Sequence, residues 1–337
     1  MNIYPLLRPL LFSLDAESAH YLTLRLLKLA HQTGLSALSK ASVEDKPVQV
    51  MGLHFKNRLG LAAGLDKNGE YIDALGDMGF GFVEIGTVTP RAQAGNPLPR
   101  VFRLPEHQAI INRMGFNNFG IEYLLNQVKI SRYQGILGIN IGKNADVANE
   151  NANQDYLLGL RKSYMHASYV TINISSPNTK NLRQLQQGDE IKNLLHDLKE
   201  EQLKLQTEHG KYTPIAVKIA PDLSDEDLVR IARLLVEFNI DGVIATNTTL
   251  ARDQVQSHKF ADENGGLSGA PLTEKATQVV KVLASELNNR LPIIAAGGIM
   301  SVTDAQQKIQ AGASLIQIYS GLIYKGPAII AEILRGL

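Results

Sequence analysis

The chain has 337 residues, of which 44% are hydrophobic and 20% are charged, as is ordinary for a globular protein. Its 34 lysines and arginines nearly balance its 33 aspartates and glutamates, which gives no electrostatic reason to expect a nucleic-acid partner. Cysteine is absent, which excludes disulfides, thiolate zinc sites, iron–sulfur clusters held by this chain and a cysteine nucleophile or base. We accordingly predict no metal site.

The N-terminal segment, residues 1–45, is predicted to be helical. Asp15 is a suitable N-cap for a helix that ends near Gly34. The apolar face of this helix consists of Ala19, Leu22, Leu26 and Leu29, with Leu24 and Leu27 beside it. Arg25 and Lys28 lie on the opposite, polar face. Such an apolar face either packs on the rest of the protein or binds lipid or another apolar ligand.

Nothing in the sequence reaches the about 18 to 20 consecutive apolar residues that are needed to span a bilayer. Arg8 interrupts the apolar start of the chain, and no small-residue cleavage site follows a basic leader. We therefore expect neither a signal peptide nor a transmembrane helix, and we expect synthesis in the cytoplasm. Contact with the surface of a membrane remains compatible with this pattern.

Short apolar runs alternate with amphipathic stretches from residue 58 onward. The eight runs are 58–64, 82–87, 136–142, 169–175, 214–220, 241–247, 291–297 and 314–320. Their nearly continuous apolar character is typical of strands that are buried on both faces. Clear helical patterns occupy residues 189–206 and 224–238, and Ser224 is a good N-cap for the second.

Eight strand and helix repeats predict an α/β fold, a TIM (β/α)8 barrel with a small N-terminal helical extension. A doubly wound parallel sheet is the alternative, but no GxGxxG motif follows the first strand. Residues 47–57, with Gly52 at the turn, are predicted to form a hairpin that covers the bottom of the barrel.

Three connections are unusually long, namely 87–117, 175–188 and 248–270. Loops of this length usually carry function or are disordered. All three leave the C-terminal ends of predicted strands, where barrel active sites are assembled. We therefore place the candidate site at this end of the barrel.

Asparagine recurs at the predicted strand ends and in these loops, as Asn112, Asn140, Asn173, Asn178 and Asn247. Each amide offers a donor and an acceptor without charge. Such a set suits a ligand with alternating N–H and C=O groups, such as a pyrimidine or an isoalloxazine. The structural alternative is that polar residues merely solvate the rim of the barrel.

Lys218 lies inside the fifth predicted strand, and three roles are open for it. It could form a Schiff base, as in aldolases. It could place positive charge beside N1 and O2 of a flavin, where negative charge collects on reduction. It could also pair with a buried carboxylate in a structural role.

Glycine-rich turns follow the last two strands, at Gly297-Gly298 and at Tyr319-Ser320-Gly321. Backbone N–H groups in such turns form the phosphate site of many barrels. The sequence therefore predicts a ligand that carries a phosphate group.

Nine motifs occur in order along nearly the whole chain: AAGLDKNGE, EIGTVTPR, INRMGFNN, GINIGKN, NISSPNT, VKIAPDL, IATNTT, GGLSG and QIYSG. Together they resemble the class 2 dihydroorotate dehydrogenases. This resemblance implies oxidation of (S)-dihydroorotate to orotate in pyrimidine (UMP) biosynthesis, with FMN as the hydride acceptor and a membrane quinone, ubiquinone or menaquinone, as the final electron acceptor.

The resemblance also implies ligand-binding residues at matching positions. FMN would contact Ala63, Gly64, Leu65, Asp66, Lys67, Thr87, Asn140, Asn173, Lys218 and Thr246, with its phosphate on Gly269, Gly298, Tyr319 and Ser320. The substrate would contact Lys67, Asn112, Arg113, Met114, Gly115, Phe116, Asn173, Asn178, Asn247 and Thr248.

Ser176 resembles the catalytic base of class 2 enzymes, which removes a proton from C5 of the substrate. Class 1 relatives and dihydrouridine synthases rely on a cysteine, which this chain lacks. We also expect no iron–sulfur partner subunit of the kind used by the NAD-linked class 1 subtype.

His20, Arg103 and Tyr319 match positions that line the quinone entrance of class 2 enzymes. For His20, the alternative is an ordinary polar helix residue. The resemblance divides the chain into a quinone-access segment, 1–45, and a catalytic barrel, 46–337. It implies a peripheral position on membrane lipid at the cytoplasmic face of the inner membrane.

Three other functions are alternatives. One is another FMN-dependent TIM-barrel oxidoreductase, such as a class 1 relative or a dihydrouridine synthase, against which the absence of cysteine argues. The second is a Schiff-base aldolase that uses Lys218, and the third is a membrane-docked scaffold without catalytic activity. A bound flavin would argue against the aldolase, and turnover of dihydroorotate would exclude the scaffold.

Overall fold

The structure is a computed structural model that describes residues 4–35, 43–186 and 188–337. In chain order, its strands are β1 (Val48–Val50), β2 (Leu53–Phe55), β3 (Leu59–Leu61), β4 (Phe82–Val88), β5 (Val101–Leu104), β6 (Ala109–Asn112), β7 (Ile136–Ile141), β8 (Tyr169–Asn173), β9 (Ile215–Ile219), β10 (Gly242–Ala245), β11 (Gly266–Gly269), β12 (Ile293–Ala296) and β13 (Leu315–Ile318). Its α-helices are α1 (Tyr4–Ser13), α2 (Ala16–Gln32), α3 (Ile72–Gly76), α4 (Ile121–Ile130), α5 (Ala152–Ser163), α6 (Glu190–His209), α7 (Asp225–Glu237), α8 (Thr273–Leu287), α9 (Val302–Gln310), α10 (Ser320–Lys325) and α11 (Ala328–Gly336).

Eight parallel strands close into a barrel in the order β3-β4-β7-β8-β9-β10-β12-β13, and β13 pairs with β3. Each strand corresponds to one of the eight predicted apolar runs, so the predicted TIM barrel is confirmed. The closed order excludes a doubly wound sheet, which has two open edges. The strands are buried along almost their whole length, as their apolar sequences require.

The bottom of the barrel is closed by the antiparallel hairpin β1–β2, as predicted. Phe55 of this hairpin packs edge-on against Phe82 inside the barrel, with ring centroids 5.2 Å apart. Tyr169 lies next to Phe82 and approaches Gly138 so closely that a Cβ there would lie 2.3 Å from the tyrosine ring. Large aromatic side chains therefore fill the lower barrel, and the open space lies at the other end.

Helix α7 shows how the local sequence sets an element of the outer layer. The Ser224 hydroxyl accepts a hydrogen bond from the Asp227 N–H at 3.1 Å and thereby caps the helix, as predicted. Leu228, Ile231 and Leu235 recur at helical spacing and are buried against the barrel.

Helices α1 and α2 form the N-terminal extension outside the barrel. Asp15 caps α2 by accepting a hydrogen bond from the Ser18 N–H at 2.8 Å. Ala19 and Leu24 are buried, whereas the three leucines of the predicted apolar face point outward: Leu22, Leu26 and Leu29 are 41%, 53% and 55% exposed. The broad face thus leaves three leucines facing solvent. Of the predicted segment 1–45, residues 1–3 and 36–42 lie outside the described residues.

Two of the three long loops contain a small sheet that the sequence analysis did not predict. Strands β5 and β6 of the 87–117 loop pair with each other, and β6 also pairs with β11 of the 248–270 loop. The remaining long loop, 175–188, contains a short 3-10 turn at Leu182–Gln186. The small sheet joins the 87–117 and 248–270 loops above the end of the barrel.

In the part of the chain that the structure describes, no helix is both long enough and apolar enough to cross a bilayer.

Candidate active site

A cleft opens at the C-terminal ends of the barrel strands, with about 1000 Å3 of empty space including its mouth. Barrel active sites occupy this end of the fold. Most residues predicted to bind ligands line it: Ala63, Gly64, Lys67, Thr87, Asn112, Met114, Gly115, Phe116, Asn173, Ser176, Asn178, Lys218, Thr246, Asn247, Thr248, Gly269, Gly298, Tyr319 and Ser320. Residues from all parts of the barrel sequence therefore meet in one place.

Three predicted cofactor positions lie behind this lining. Leu65 and Asn140 are buried under the cleft surface. The Asp66 carboxylate accepts hydrogen bonds from the N–H groups of Glu70 at 3.0 Å and Tyr71 at 2.8 Å, and burial raises the pKa of Asp66 to about 6. The Asp66 carboxylate therefore shapes the turn after β3, and Asp66 does not line the cleft.

The side chain of Arg113 also points away from the cleft. Its guanidinium pairs with Glu263 at 2.5 Å and lies over the Phe102 ring, 4.7 Å from the centroid. Its neighbours Asn112 and Met114 do line the cleft. Arg113 therefore fixes the position of this segment, and its guanidinium does not contribute to the cleft surface.

Three of the five predicted amides, those of Asn247, Asn173 and Asn140, belong to one continuous chain of hydrogen bonds across the cleft floor, whereas Asn178 donates to Asn112 Oδ1 at 3.3 Å in a separate pair. Asn247 donates to the Ser175 hydroxyl at 2.9 Å, and that hydroxyl donates to Asn173 Oδ1 at 2.8 Å. Asn173 Nδ2 donates to the Thr87 hydroxyl at 2.9 Å, which donates to Asn140 Oδ1 at 2.6 Å. Because every link runs in the same direction, the chain fixes which end of each amide faces the cleft.

Glu84 ends this chain and was missed in the sequence analysis. It is fully buried, and its carboxylate accepts hydrogen bonds from Asn140, Tyr169 and Gln317, each at 2.8 Å. Three donors satisfy a charge that would be costly to bury alone. A glutamate inside an otherwise apolar strand run, FVEIGT, was the available signal.

Lys218 projects from β9 into the cleft and is buried. Burial lowers the pKa of Lys218, and the negative charge of Glu84 opposes that shift. Gln317 Oε1 and Thr171 Oγ1 are also buried and lack a hydrogen-bond partner among the described residues. Buried polar groups without a partner are suited to form hydrogen bonds with a polar ligand.

Lys67 lies on the rim, where its ammonium donates to the Gly64 carbonyl at 2.8 Å. Burial lowers the pKa of Lys67 to about 8, while the nearby Glu17 charge favours the protonated form and that of Arg100 opposes it. The side chain is therefore a cation at neutral pH that titrates within an accessible range.

Ser176 follows β8 on the opposite side of the cleft, and 5% of its surface is exposed. Its hydroxyl oxygen accepts the Asn178 N–H at 3.2 Å, which leaves the hydroxyl proton free to point into the cleft. Thr179 is buried nearby, and its hydroxyl has no hydrogen-bond partner among the described residues. A buried hydroxyl of this kind is suited to hold a water molecule.

The glycine-rich turns meet at the side of the cleft formed by β12 and β13. Gly298 has a φ of +71°, and a Cβ there would lie 2.3 Å from Cα of Thr273. Only glycine therefore fits at this position. Ser268 and Ser320 lie 2.9 Å apart, hydroxyl to hydroxyl, on the same side. Backbone N–H groups and hydroxyls here suit a phosphate.

The three predicted quinone-access residues lie where α1 and α2 cover the barrel, although only Tyr319 lines the cleft itself. The Arg103 guanidinium donates to the carbonyls of Leu11 and Phe12 at the end of α1. Burial and the Lys67 charge lower the pKa of His20 to about 3, so its ring is neutral at physiological pH.

These features define the class of barrel enzymes that bind a small ligand at the C-terminal ends of their strands. The family model described as dihydroorotate dehydrogenase matches residues 46–337. The chain belongs to this family of flavin-dependent oxidoreductases.

Relatives named dihydroorotate dehydrogenase (quinone) are similar over nearly the full length. The protein of Chromobacterium violaceum is 61% identical, and the match covers 99% of this chain and 97% of that protein. The protein of Nitrosomonas eutropha is also 61% identical, and the match covers 98% of this chain and 96% of that protein. A crystal structure of ligand-free DHODH from Eimeria tenella has a TM-score of 0.87 at 38% identity and covers 96% of this chain and 94% of its own.

Proposed function

We propose that this protein oxidises (S)-dihydroorotate to orotate in pyrimidine (UMP) biosynthesis and passes the electrons through FMN to a membrane quinone. The observation that carries this proposal is the cleft itself, which brings Ser176, Lys67 and the amide chain together over the barrel. Membership of the dihydroorotate dehydrogenase family supports the reaction, and relatives named for quinone support the acceptor.

FMN would fit the polar lining of the cleft, where the buried Gln317 Oε1 lacks a hydrogen-bond partner among the described residues. Lys218, Thr87 and Thr246 would hold the ring, and the turns at Gly298 and Ser320 would hold the phosphate. Ala63, Gly64 and Gly269 would line the same cofactor, while Leu65, Asp66 and Asn140 would support it from behind. When bound, FMN supplies the acceptor for the hydride from C6 of the substrate and the donor for the quinone.

Dihydroorotate would occupy the cleft between Lys67 and Ser176. The Lys67 ammonium attracts the substrate carboxylate, and the amides of Asn112, Asn178 and Asn247 orient its ring by complementary hydrogen bonds. Asn173, Thr248 and the segment Met114–Phe116 complete this surface. In this arrangement, the Lys67 charge would lie at one edge of the substrate and the Ser176 base at another.

Ser176 would remove the C5 proton. A serine hydroxyl is a weak base in water, so the step depends on the desolvated setting and on a route by which the hydroxyl proton leaves. The unsatisfied hydroxyl of buried Thr179 offers a position for the water that receives this proton.

The N-terminal segment, which we assign as residues 1–45 beside a catalytic barrel of 46–337, would bring the quinone to the cleft from membrane lipid. Besides the three leucines of α2, Leu6 and Leu10 of α1 are 82% and 67% exposed. An outward apolar surface with adjacent cations is typical of peripheral membrane binding, here at the cytoplasmic face of the inner membrane. His20, Arg103 and Tyr319 would line the entrance.

The proposal is tested by measuring orotate formation from dihydroorotate with ubiquinone, menaquinone and fumarate supplied separately. Turnover with a quinone but not with fumarate is expected. Turnover with fumarate alone, or none with any acceptor in a flavin-loaded protein, would contradict the proposed acceptor or the proposed reaction.

Removal of the buried cation is expected to change the flavin. The variant Lys218→Ala should retain FMN less firmly, and its two-electron flavin potential should fall by roughly 30 to 60 mV, because a charged contact is worth about 1.5 to 3 kcal/mol. Potentiometric titration measures this shift. The aldolase alternative predicts instead that borohydride traps a substrate adduct on Lys218, and finding that adduct by mass spectrometry would overturn the flavin role.

The Lys67 charge predicts the alkaline limb of the pH profile. With a pKa of about 8, Lys67 is protonated below that pH and loses its charge above it, so kcat/KM for dihydroorotate should fall as pH rises through 8. Lys67→Met should lower kcat/KM by roughly 10- to 150-fold, for a charged contact worth about 1.5 to 3 kcal/mol, and should abolish this limb. A limb that persists unchanged in Lys67→Met would assign the titration to another group.

A further inference from the structure

Arg183 lies in the 3-10 turn of the loop that carries Ser176, and all three of its guanidinium nitrogens are used. Nε donates to the Ser175 carbonyl at 2.9 Å, one Nη donates to the Thr248 carbonyl at 2.7 Å, and the other pairs with Asp222 at 2.7 Å. These partners follow β8, β10 and β9. One planar side chain therefore ties together three successive loops at the rim of the cleft.

Asp222 holds the other half of this junction. Its carboxylate also accepts the Thr249 hydroxyl at 2.5 Å, the Leu250 N–H at 2.9 Å and the Lys275 ammonium at 2.5 Å. With the Arg183 bond, its two oxygens accept four hydrogen bonds, which is the capacity of a carboxylate. The side chains of both partners are 19% exposed, so solvent screens the pair only in part.

The contacts of this pair reach main-chain atoms that adjoin proposed reacting and substrate-binding groups. Ser175 directly precedes Ser176, and its own hydroxyl belongs to the amide chain through Asn173 and Asn247. Thr248 lines the cleft. Neither Arg183 nor Asp222 lines the cleft, so neither would touch the substrate.

We propose that Arg183 and Asp222 are positioning residues that hold the Ser176 hydroxyl and the Thr248 side of the cleft in the geometry required for proton removal from C5. This inference rests on the proposed function. A displacement of about 1 Å of a catalytic group can lower the rate on the order of 100-fold. Loss of the three hydrogen bonds that the pair makes to the main chain at Ser175, Thr248 and Leu250 should therefore slow proton removal.

The test compares Arg183→Met with Arg233→Met in the flavin-loaded enzyme. Arg233 is a matched control, because it pairs with Glu286 at 2.9 Å on the outside of the barrel. In Arg183→Met, anaerobic reduction of the flavin by dihydroorotate should slow by about 10- to 100-fold. Reoxidation by quinone and FMN retention should match the wild type, and Arg233→Met should resemble the wild type in all three measurements.

Isotope effects separate positioning from a merely structural role. Deuterium at C5 of dihydroorotate should slow flavin reduction more in Arg183→Met than in the wild type, because proton removal has become more limiting, whereas the effect of deuterium at C6 should not increase. Unchanged isotope effects, or equal losses in both half-reactions, would overturn the inference.

Two further variants cover the case in which Arg183→Met does not fold. Arg183→Lys keeps the charge but cannot span three acceptors, and Asp222→Asn keeps the shape but cannot accept four hydrogen bonds. Each should show the same selective loss, and the double variant should lose less than the product of the two single losses. If dihydroorotate reduces the flavin of the wild type and of these variants equally fast, only the positioning role is contradicted. If dihydroorotate does not reduce the flavin of the wild type, the proposed function is contradicted.

Discussion

Replacement of Ser176 by alanine is expected to slow flavin reduction by dihydroorotate about 100- to 10,000-fold, the usual contribution of a positioned general base. Ser176 is buried beside the amide chain, and its hydroxyl accepts only the Asn178 N–H among the described residues. The substitution thus removes the proton acceptor and little else. Anaerobic stopped-flow absorbance of the flavin measures the rate.

The control for this substitution is Ser224→Ala, because Ser224 caps α7 and does not line the cleft. It should cost about 1 kcal/mol of stability and leave flavin reduction unchanged. In Ser176→Ala, FMN should stay bound, and quinone should reoxidise chemically reduced flavin at the normal rate. Near wild-type reduction by dihydroorotate in Ser176→Ala would eliminate Ser176 as the base.

The exposed leucines of α2 are expected to govern the other half-reaction. Changing Leu22, Leu26 and Leu29 together to serine should weaken binding to lipid vesicles by roughly 100-fold, if each loses about 1 kcal/mol of apolar burial in lipid. Turnover with a long-tailed quinone should fall at least about tenfold for the same reason. Reduction of the flavin by dihydroorotate should not change, because none of the three side chains is buried against the barrel.

A matched surface control changes Leu158, Leu203 and Met165 to serine; these side chains are 39%, 48% and 46% exposed elsewhere on the barrel. This control should keep vesicle binding and quinone turnover, and small soluble acceptors should serve all variants alike. A deletion of residues 1–40 should have the same selective effect. If the α2 variant and the control behave identically, or if the deletion slows both half-reactions equally, the segment is structural and the quinone-entrance role is wrong.

Much of the fold could be predicted because buried parallel strands leave a direct signal in the sequence. Runs such as 136–142 and 214–220 are apolar on both faces, and each became a barrel strand. The cap at Asp15 likewise has a local signature. The small sheet could not be predicted, because β6 and β11 are four residues long and their pairing joins positions as distant as Asn112 and Gly266.

The site was predicted less completely, since a motif names residues but not the direction in which they point. Arg113 belongs to a motif, yet its guanidinium pairs with Glu263 outside the cleft. Glu84 and Gln317 lie in apolar strand runs of β4 and β13. Only the folded barrel shows that their side chains form a hydrogen bond. Contacts between residues far apart in sequence are fixed by tertiary packing, and a single sequence does not reveal them.

The most direct test of the account mixes the flavin-loaded protein with dihydroorotate without oxygen and then adds quinone. The flavin absorbance should bleach while one equivalent of orotate forms, and quinone should restore the absorbance. A flavin that stays oxidised in the presence of dihydroorotate, or bleaches without forming orotate, would contradict the account.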